Sequence, residues 1–157
     1  MKRLITLEVN GETHELAVEP DATLLKVLRE QIGLIGPKRG CDSGGCGCCT
    51  VHVDGKAVYS CMLYALALQG RSITTIEALA VNGRLDPLQE AFVDAGAVQC
   101  GYCTCGMIMA AKQYLDEGGT DDEHDVRHAI AGNLCRCTGY TKIVDAIRTA
   151  ASRGSRA

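Results

Sequence analysis

The sequence predicts an α+β fold, in which a β-rich N-terminal half is followed by a bundle of four helices. Apolar and polar residues alternate in the first part of the chain, whereas apolar residues recur at helical spacing after about residue 86. Ten cysteines fall into two separate groups, one in each half. With 157 residues, the chain can hold two small domains, because domains commonly run from ~50 to ~200 residues.

The N-terminal residues form the first predicted strand pair. Alternation on both sides of Asn10-Gly11 predicts a β-hairpin, because this dipeptide favours the tight turn that joins two antiparallel strands. The apolar residues that would face the core of this hairpin are Ile5, Leu7, Val9, Leu16 and Val18.

One helix and three further strands complete the predicted N-terminal domain. Residues 21–31 carry an apolar stripe at helical spacing, and Gly33 lies just beyond them. Asp54-Gly55 predicts a second hairpin, which is followed by a last strand. The predicted strands are residues 50–53, 57–60 and 72–76. Strands around one helix, with a cysteine loop between them, predict a ferredoxin-like β-grasp domain.

The second half of the chain predicts four short helices. Asp86-Pro87 combines an N-cap with a proline suited to the first helical position, so the first helix begins there and runs to about residue 95. The next helix stops at Gly118-Gly119, and the third begins at Asp121 or Asp122. Residues 141–151 form the fourth, so this half is predicted to be a four-helix bundle.

These elements divide the chain into two domains. The strand pattern ends near residue 78, and Asn82-Gly83 marks a turn soon afterwards. We therefore predict a ferredoxin-like domain over residues 1–78, a helical domain over residues 79–152 and a disordered tail at residues 153–157. Each domain is near the lower size limit for a self-sufficient core, so a metal centre in each would supply part of its folding free energy.

Composition and charge exclude several classes of protein. The net charge is −3 and the charges are interspersed, so we expect no nucleic-acid surface. The longest apolar run, residues 61–68, is far shorter than the ~20 residues that span a bilayer. The basic start Met1-Lys2-Arg3 precedes a strand pattern and not a signal-peptide core, so we expect a cytoplasmic chain. In that reducing compartment, ten cysteines indicate metal ligands more than disulfides.

The first cysteine group has the spacing of an iron–sulfur site. Cys41, Cys46 and Cys49 are separated by four and two residues and are followed by Cys61, which matches the plant-type [2Fe–2S] pattern. Glycines crowd this loop, and they allow backbone N–H groups to approach cluster sulfurs without a Cβ clash. A zinc site is the alternative, but its usual paired knuckles fit the gap of four poorly. Cys48 lies among these ligands, and choosing it in place of Cys49 would break the gap of two.

The second cysteine group is less specific by spacing alone. Cys100 and Cys103 precede a predicted helix, and Cys135 and Cys137 lie between two others. Free N–H groups and the dipole at a helix N-terminus favour bound negative charge, so thiolates placed there can hold a buried cluster. A CxxC pair with a CxC pair also suits zinc, so the spacing leaves both metals open. Cys105 is a further thiol, and the spacing does not show whether it is a metal ligand.

Three motifs make the chain similar to a known family. They are GCDSGGCGCCTV at residues 40–51, QCGYCTCGMIM at residues 99–109 and GNLCRCTGY at residues 132–140. The chain resembles the small iron–sulfur subunit of the molybdenum hydroxylases, the family of xanthine oxidase, aldehyde oxidoreductase and aerobic carbon monoxide dehydrogenase. It departs from that family at two positions, because the family usually has proline in place of Cys105 and a small non-thiol residue in place of Cys48.

The resemblance implies a plant-ferredoxin-like domain followed by a four-helix domain, each binding one [2Fe–2S] cluster. The implied ligands of the first cluster are Cys41, Cys46, Cys49 and Cys61, and those of the second are Cys100, Cys103, Cys135 and Cys137. The second cluster would lie next to the molybdopterin cofactor of a large subunit. Gln99 would contact the pterin, and Cys137 would lie near it.

The function that the resemblance implies is electron transfer within a multisubunit molybdenum hydroxylase. A large subunit would oxidise the substrate, and electrons would pass one at a time through the two clusters to a medium FAD-binding subunit or another acceptor. This chain would perform no substrate chemistry. We expect no flavin on it, because no GxGxxG unit follows a predicted strand. The histidines are not expected to be ligands: His14, His52, His124 and His128.

Two alternatives belong to other classes of protein. The chain could be a free-standing two-cluster ferredoxin-type carrier, or a structural zinc-binding interaction module. Visible absorption that bleaches with dithionite, with about four irons per chain, favours a redox protein, whereas zinc favours the interaction module. Co-purification with a molybdopterin-containing chain distinguishes an enzyme subunit from a free carrier.

Overall fold

A five-stranded mixed sheet occupies the N-terminal half of the protein. The computed structural model describes residues 1–154. The strands are β1 (Arg3–Val9), β2 (Glu12–Val18), β3 (Thr50–Val53), β4 (Lys56–Tyr59) and β5 (Ser72–Thr74). Their order is β2-β1-β5-β3-β4, in which β1 and β5 are parallel and the other neighbours antiparallel. All five predicted strands are present, although β5 ends earlier than predicted.

Both hairpin turns form where the sequence predicts them. Asn10-Gly11 and Asp54-Gly55 have φ values between 50° and 80°, which is the left-handed backbone that the favoured two-residue hairpin turn requires. The first turn sets a register in which Val9 pairs with Glu12. In that register Ile5, Leu7 and Val9 of β1 are buried in the core of the domain, and the residues between them are exposed.

Helix α1 is shorter than the sequence predicts. It covers Leu24–Val27 and begins after Thr23, whose hydroxyl oxygen caps it. The predicted start at residue 21 is wrong, because the chain makes a hydrogen-bonded turn there. A π-helical segment, Leu28–Ile32, continues the helix and ends at Gly33 in the left-handed conformation.

Short 3₁₀ helices, which the sequence pattern did not predict, connect the sheet to the second half. They cover Ser60–Met62, Ala65–Leu68 and Ile76–Ala78. Two of them lie in the longest apolar run of the sequence, which contributes Ala65 and Leu68 to the core of the N-terminal domain. This apolar run therefore contributes to the core of the N-terminal domain and connects β4 to β5.

The four predicted helices of the second half are present, which confirms the predicted fold class. They are α2 (Pro87–Asp94), α3 (Thr104–Asp116), α4 (Glu123–Ala129) and α5 (Thr141–Gly154). Asp86 caps α2, and its carboxylate accepts a hydrogen bond from the N–H of Leu88 at 2.8 Å. All four helices contribute to one apolar core, with Phe92, Met107, Val126 and Ile147 among its buried residues. Within residues 1–154, no helix combines the length and the apolar character needed to cross a membrane.

Both ends of the helical domain differ in detail from the predicted division. Helix α5 continues to Gly154 and so includes the first two residues of the predicted tail. Residues 155–157 lie outside the described residues. At the other end, Ile76 and Leu79 lie on either side of the predicted boundary, and both pack against the helical core. The boundary at residue 78 therefore stays a prediction.

The two domains pack directly against each other through β3 and α3. The buried ring of His52 on β3 lies with its Nε2 2.7 Å from the carbonyl oxygen of Met109 on α3. The buried side-chain amide of Asn133 donates to the carbonyl oxygen of Gly47 at 2.9 Å. Because Gly47 lies inside the first cysteine motif and Asn133 inside the third, this contact fixes one cysteine group relative to the other.

Candidate metal centres

The four predicted ligands of the first group converge in the N-terminal domain. Cys41, Cys46 and Cys49 lie in the glycine-rich loop before β3, and Cys61 lies in the 3₁₀ helix after β4. The antiparallel pairing of β3 with β4 brings the two segments together, so the sulfurs of Cys49 and Cys61 are 3.4 Å apart. Cys46 is within hydrogen-bond reach of Cys41. The structure brings these four thiols together, and their role as ligands stays a prediction.

Hydrogen bonds and burial set the acidity of individual thiols in this group. The backbone N–H of Ser43, followed by the thiol of Cys46, lowers the pKa of Cys41 to about 6. Burial, followed by a hydrogen bond with Cys49, raises the pKa of Cys61 to about 12. The N–H groups that stabilise a thiolate at Cys41 would also stabilise the negative charge of a bound cluster.

Cys48 is the thiol of this loop that stands outside the predicted ligand set. Its side chain is 6% exposed, and burial, followed by the neighbouring Cys46, raises its pKa to about 12. Its sulfur lies 3.9 Å from the carbonyl oxygen of Cys46, within reach of a weak S–H···O hydrogen bond. Burial and this contact with a backbone carbonyl oxygen are typical of a packed residue.

The four predicted ligands of the second group converge at the ends of three helices. Cys103 directly precedes α3, and Cys135 and Cys137 lie in the loop between α4 and α5. The sulfurs of Cys100 and Cys137 are 3.5 Å apart. Cys103 is within hydrogen-bond reach of Cys135. The structure therefore brings these four thiols together as well, and their ligand role stays a prediction.

Polar groups act on individual sulfurs of the second site. Burial raises the pKa of Cys135, but the hydroxyl of Thr138, which donates to its sulfur at 3.0 Å, and nearby N–H groups outweigh burial and lower the pKa. The backbone N–H of Tyr102 lowers the pKa of Cys100. At Cys103 burial dominates and raises the pKa to about 12. The sequence analysis did not identify Thr138, although it lies within the third cysteine motif.

The residues present fit a [2Fe–2S] cluster in each site. All ten cysteines are free thiols, and in each half of the chain four of them meet. The backbone also comes very close to the sulfurs, since a Cβ at Gly40 would lie 2.9 Å from the sulfur of Cys46. Four thiol donors with N–H and O–H groups directed at them are the environment such clusters use. When bound, the clusters supply reversible one-electron chemistry, and the protein sets how readily it occurs.

A backbone hydrogen bond joins the two sites. The N–H of Leu134 donates to the carbonyl oxygen of Cys46 at 2.9 Å, so a predicted ligand of the first site is bonded to the neighbour of Cys135 in the second. Gly47 allows this approach, because its φ is 69° and a Cβ there would lie 2.6 Å from the carbonyl oxygen of Gly132. The sequence pattern does not predict this contact, which joins distant segments.

Burial differs between the inner and outer sides of the two sites. Cys46, Cys48 and Cys103 are buried and pack together, and the partly buried Cys41 and Cys135 lie against them. Cys100 and Cys137 are exposed. Gln99, the predicted pterin contact, is exposed beside Cys100 in the chain. Part of the second site is therefore open at the protein surface.

Cys105 lies apart from the predicted ligands, in the first turn of α3. Its sulfur accepts a hydrogen bond from the ammonium group of Lys38 at 3.4 Å. Lys38 belongs to the loop before the first cysteine group, and its backbone N–H donates to the carbonyl oxygen of Cys48 at 3.0 Å. Lys38 therefore contributes to the contact between the domains.

A β-grasp domain and a helical domain, each bringing four thiols together, define a two-cluster iron–sulfur protein. Comparison with known proteins agrees. Residues 7–79 match the family model of a 2Fe-2S iron-sulfur cluster binding domain, and residues 75–148 match that of a [2Fe-2S] binding domain. The chain is 45% identical over 152 residues to the nicotinate dehydrogenase small FeS subunit of Eubacterium barkeri, covering 97% of each chain.

Solved structures are also similar. Quinoline 2-oxidoreductase of Pseudomonas putida 86 superposes with a TM-score of 0.94 at 41% identity, covering 99% of this chain and 96% of that chain. The aldehyde oxidoreductase of Desulfovibrio desulfuricans superposes with a TM-score of 0.92 at 42% identity, covering 98% of this chain and 17% of that one. In the second case the matching region is one part of a much longer polypeptide.

The chain belongs to the family of small iron–sulfur subunits of the molybdenum hydroxylases. It carries two [2Fe–2S] clusters and transfers electrons within a multisubunit oxidoreductase whose molybdopterin cofactor lies on a partner subunit. The predicted family, cofactors and electron-transfer role are thereby confirmed. The relatives are subunits of enzyme complexes, and none of these findings favours a free-standing carrier or a zinc module.

Proposed function

We propose that electrons enter this chain at the helical-domain site, next to the molybdopterin of the large subunit, and leave at the β-grasp site toward a flavin subunit. The observation that carries the proposal is the distribution of burial over the thiols. Cys100 and Cys137 are exposed at one site, and Cys41 and Cys61 are partly exposed at the other. The buried thiols lie between the sites. A conduit needs such an arrangement, with two accessible ends and a protected middle.

The proposed ligands are the eight thiols that the sequence predicts. Those of the first cluster are Cys41, Cys46, Cys49 and Cys61, and those of the second are Cys100, Cys103, Cys135 and Cys137. Support comes from the short sulfur–sulfur distances of 3.4 Å and 3.5 Å within the two sets. The sulfur of Cys49 lies 3.4 Å from that of Cys61 and preserves the gap of two after Cys46, which supports Cys49 and not Cys48 as the ligand.

The proposed contact surface for the large subunit surrounds the second site. Three large apolar side chains near its cysteines are exposed, with 42% of Val98, 46% of Tyr102 and 55% of Leu134 accessible. Apolar side chains grouped around an accessible functional site are typical of protein–protein contacts. Gln99 lies among these residues in sequence, and its amide can donate to and accept from a pterin ring. We propose Gln99 as the pterin contact and Cys137 as the nearest ligand.

The proposed contact site for the electron acceptor lies beside the first cluster. A groove of about 500 Å³ opens next to Cys41 and Cys61 and is lined by charged side chains that include Lys26, Arg39 and Asp42. Charged rims steer and orient transient partners more than they tighten binding. A flavin subunit that docks over this groove would take electrons from the partly exposed side of the first cluster.

The proposed compartment is the cytoplasm. Its reducing conditions keep thiols free, and all ten cysteines of this chain are free thiols. Iron–sulfur ligation then competes only with protonation of the thiols and not with disulfide formation.

Substitution of Gln99 by alanine in the assembled complex tests the proposed entry point. The rate at which substrate reduces the clusters should fall, while iron and molybdopterin content stay at the level of the unmodified complex. Gln31→Ala, at an exposed glutamine of the N-terminal domain, is the matched control and should leave the rate unchanged. An unchanged rate for Gln99→Ala with the cofactor bound would contradict the pterin contact.

A further inference from the structure

Cys48 occupies the space between the two cluster sites although it belongs to neither ligand set. Its buried side chain packs in one cluster with Cys46 of the first site and Cys103 of the second.

The backbone holds Cys48 in this position from two sides. A Cβ at Gly40 would lie 2.9 Å from the sulfur of Cys46 and 3.1 Å from that of Cys48, so the two sulfurs share one side of Gly40. On the other side, a Cβ at Gly106 would lie 3.1 Å from the Cα of Cys48. Gly106 lies in the first turn of α3, three residues after Cys103. The loop of the first site is thus in van der Waals contact with the helix that begins at the second.

We propose that Cys48 is a positioning residue for electron transfer between the two clusters, providing a sulfur contact from Cys46 to Cys103 beside the backbone route from Cys46 to Leu134. This inference rests on the proposed function. One electron leaves the reduced cluster of the second site and reduces the cluster of the first. Cys48 is neither oxidised nor reduced in this step, and its S–H bond stays intact.

The physical reason is the nature of the medium between the sites. Electronic coupling decays more steeply across empty space than through packed atoms, and a protein interior loses atom contacts wherever a side chain is shortened. A thiol sulfur is large and polarisable. In place of Cys48, an alanine would leave a gap of one sulfur atom between Cys46 and Cys103, whereas a serine would leave only a narrower and less polarisable contact.

The experiment compares Cys48→Ala and Cys48→Ser with the unmodified complex. Iron content and the midpoint potential of each cluster are measured first, by analysis and by EPR-monitored redox titration. Electron equilibration between the clusters is then followed after flash photoreduction, and their magnetic coupling is measured by EPR in the fully reduced state. Cys105→Ala is the matched control, because it removes a non-ligand thiol from the first turn of α3.

We expect Cys48→Ala to retain both clusters, to equilibrate several-fold more slowly and to lose part of the magnetic coupling. Cys48→Ser keeps a donor to the carbonyl oxygen of Cys46. Its equilibration rate and magnetic coupling should therefore lie between those of Cys48→Ala and those of the unmodified complex. Cys105→Ala should leave both quantities unchanged. If Cys48→Ala fails to fold, the serine variant alone decides the matter.

Two results would overturn the inference. Equilibration at the unmodified rate in the Cys48 variants, with both clusters present, would show that the backbone route suffices. Loss of the iron of one cluster from Cys48→Ser would show that Cys48 is a ligand. Both differ from failure of the proposed function, which would appear as an unmodified complex that lacks iron or whose clusters are not reduced by substrate.

Discussion

At the scale of single residues, the two sites contain thiols of very different acidity. Hydrogen bonds led by the N–H of Ser43 lower the pKa of Cys41 to about 6, whereas burial raises that of Cys103 to about 12. The first cluster would receive hydrogen bonds at Cys41, and the second would be shielded from water at Cys103. Both effects tune the reduction potential, because hydrogen bonds stabilise the extra electron and burial disfavours it.

The choice between Cys48 and Cys49 is the first prediction at this scale. Cys49→Ser should abolish the EPR signal of the first cluster and lower the iron content by about two atoms per chain, because a four-thiolate [2Fe–2S] site loses one ligand. Cys48→Ser should retain both clusters. Cluster loss from Cys48→Ser with retention in Cys49→Ser would reverse the assignment.

The hydrogen bond from Thr138 to the sulfur of Cys135 gives a second prediction. Thr138→Val removes a donor 3.0 Å from that sulfur, so the reduced second cluster loses stabilisation and its midpoint potential should become more negative. EPR-monitored redox titration measures the shift. Thr149→Val is the control, since the hydroxyl of Thr149 donates to the carbonyl oxygen of Asp145 within α5. A potential that stays the same in Thr138→Val would contradict this role.

At the scale of elements, periodicity and turn residues could be predicted better than contacts between distant segments. Asn10-Gly11 and Asp86-Pro87 determine a hairpin and a helix start through local backbone preferences, and both form as predicted. The start of α1 was predicted too early, because the apolar stripe alone does not show that a turn precedes Thr23.

The cysteine spacing predicted which thiols meet, but not how the two sites are joined. Gly47 and Gly106 could be recognised as glycines in cysteine motifs, yet their spacing says nothing of the segment each one faces. The structure shows that they allow the first loop to contact α3 and the loop before Cys135. These contacts depend on domain packing, which has no periodic signal in the sequence.

Gly106→Ala tests this contact between elements. A Cβ at Gly106 would lie 2.2 Å from the carbonyl oxygen of Gly47, so the domains must shift apart, and overpacking of this kind costs about 1–3 kcal/mol. The midpoint of thermal denaturation, followed by the visible absorption of the clusters, should fall, although alanine is the better helix former. Gly154→Ala adds a Cβ where nothing lies within 4 Å and should leave the midpoint unchanged. A denaturation midpoint of Gly106→Ala equal to that of the unmodified protein would contradict close packing between Gly106 and Gly47.

At the scale of the whole molecule, each domain exposes part of its own cluster site, which gives the proposed electron path an entry and an exit. Cys100 and Cys137 are exposed on the helical domain, while Cys41 and Cys61 are partly exposed on the β-grasp domain. The buried thiols and the hydrogen bond from Leu134 to Cys46 lie between them. In the proposed path neither domain alone provides both an entry and an exit, so the direct contacts between the domains keep the path continuous.

The proposed surface for the large subunit gives the last prediction. Leu134 is 55% exposed, and its hydrogen bond to Cys46 is made by its backbone N–H, so Leu134→Ser should preserve both clusters and the link between them. If the side chain becomes buried against the large subunit, its loss should weaken association by about 1.5–3 kcal/mol, or roughly tenfold to a hundredfold in Kd. Titration of the iron-loaded small subunit with the large subunit measures this change. Val81→Ser, at a side chain 62% exposed near the domain boundary, should bind normally, and equal weakening by both variants would argue against a surface centred on the second site.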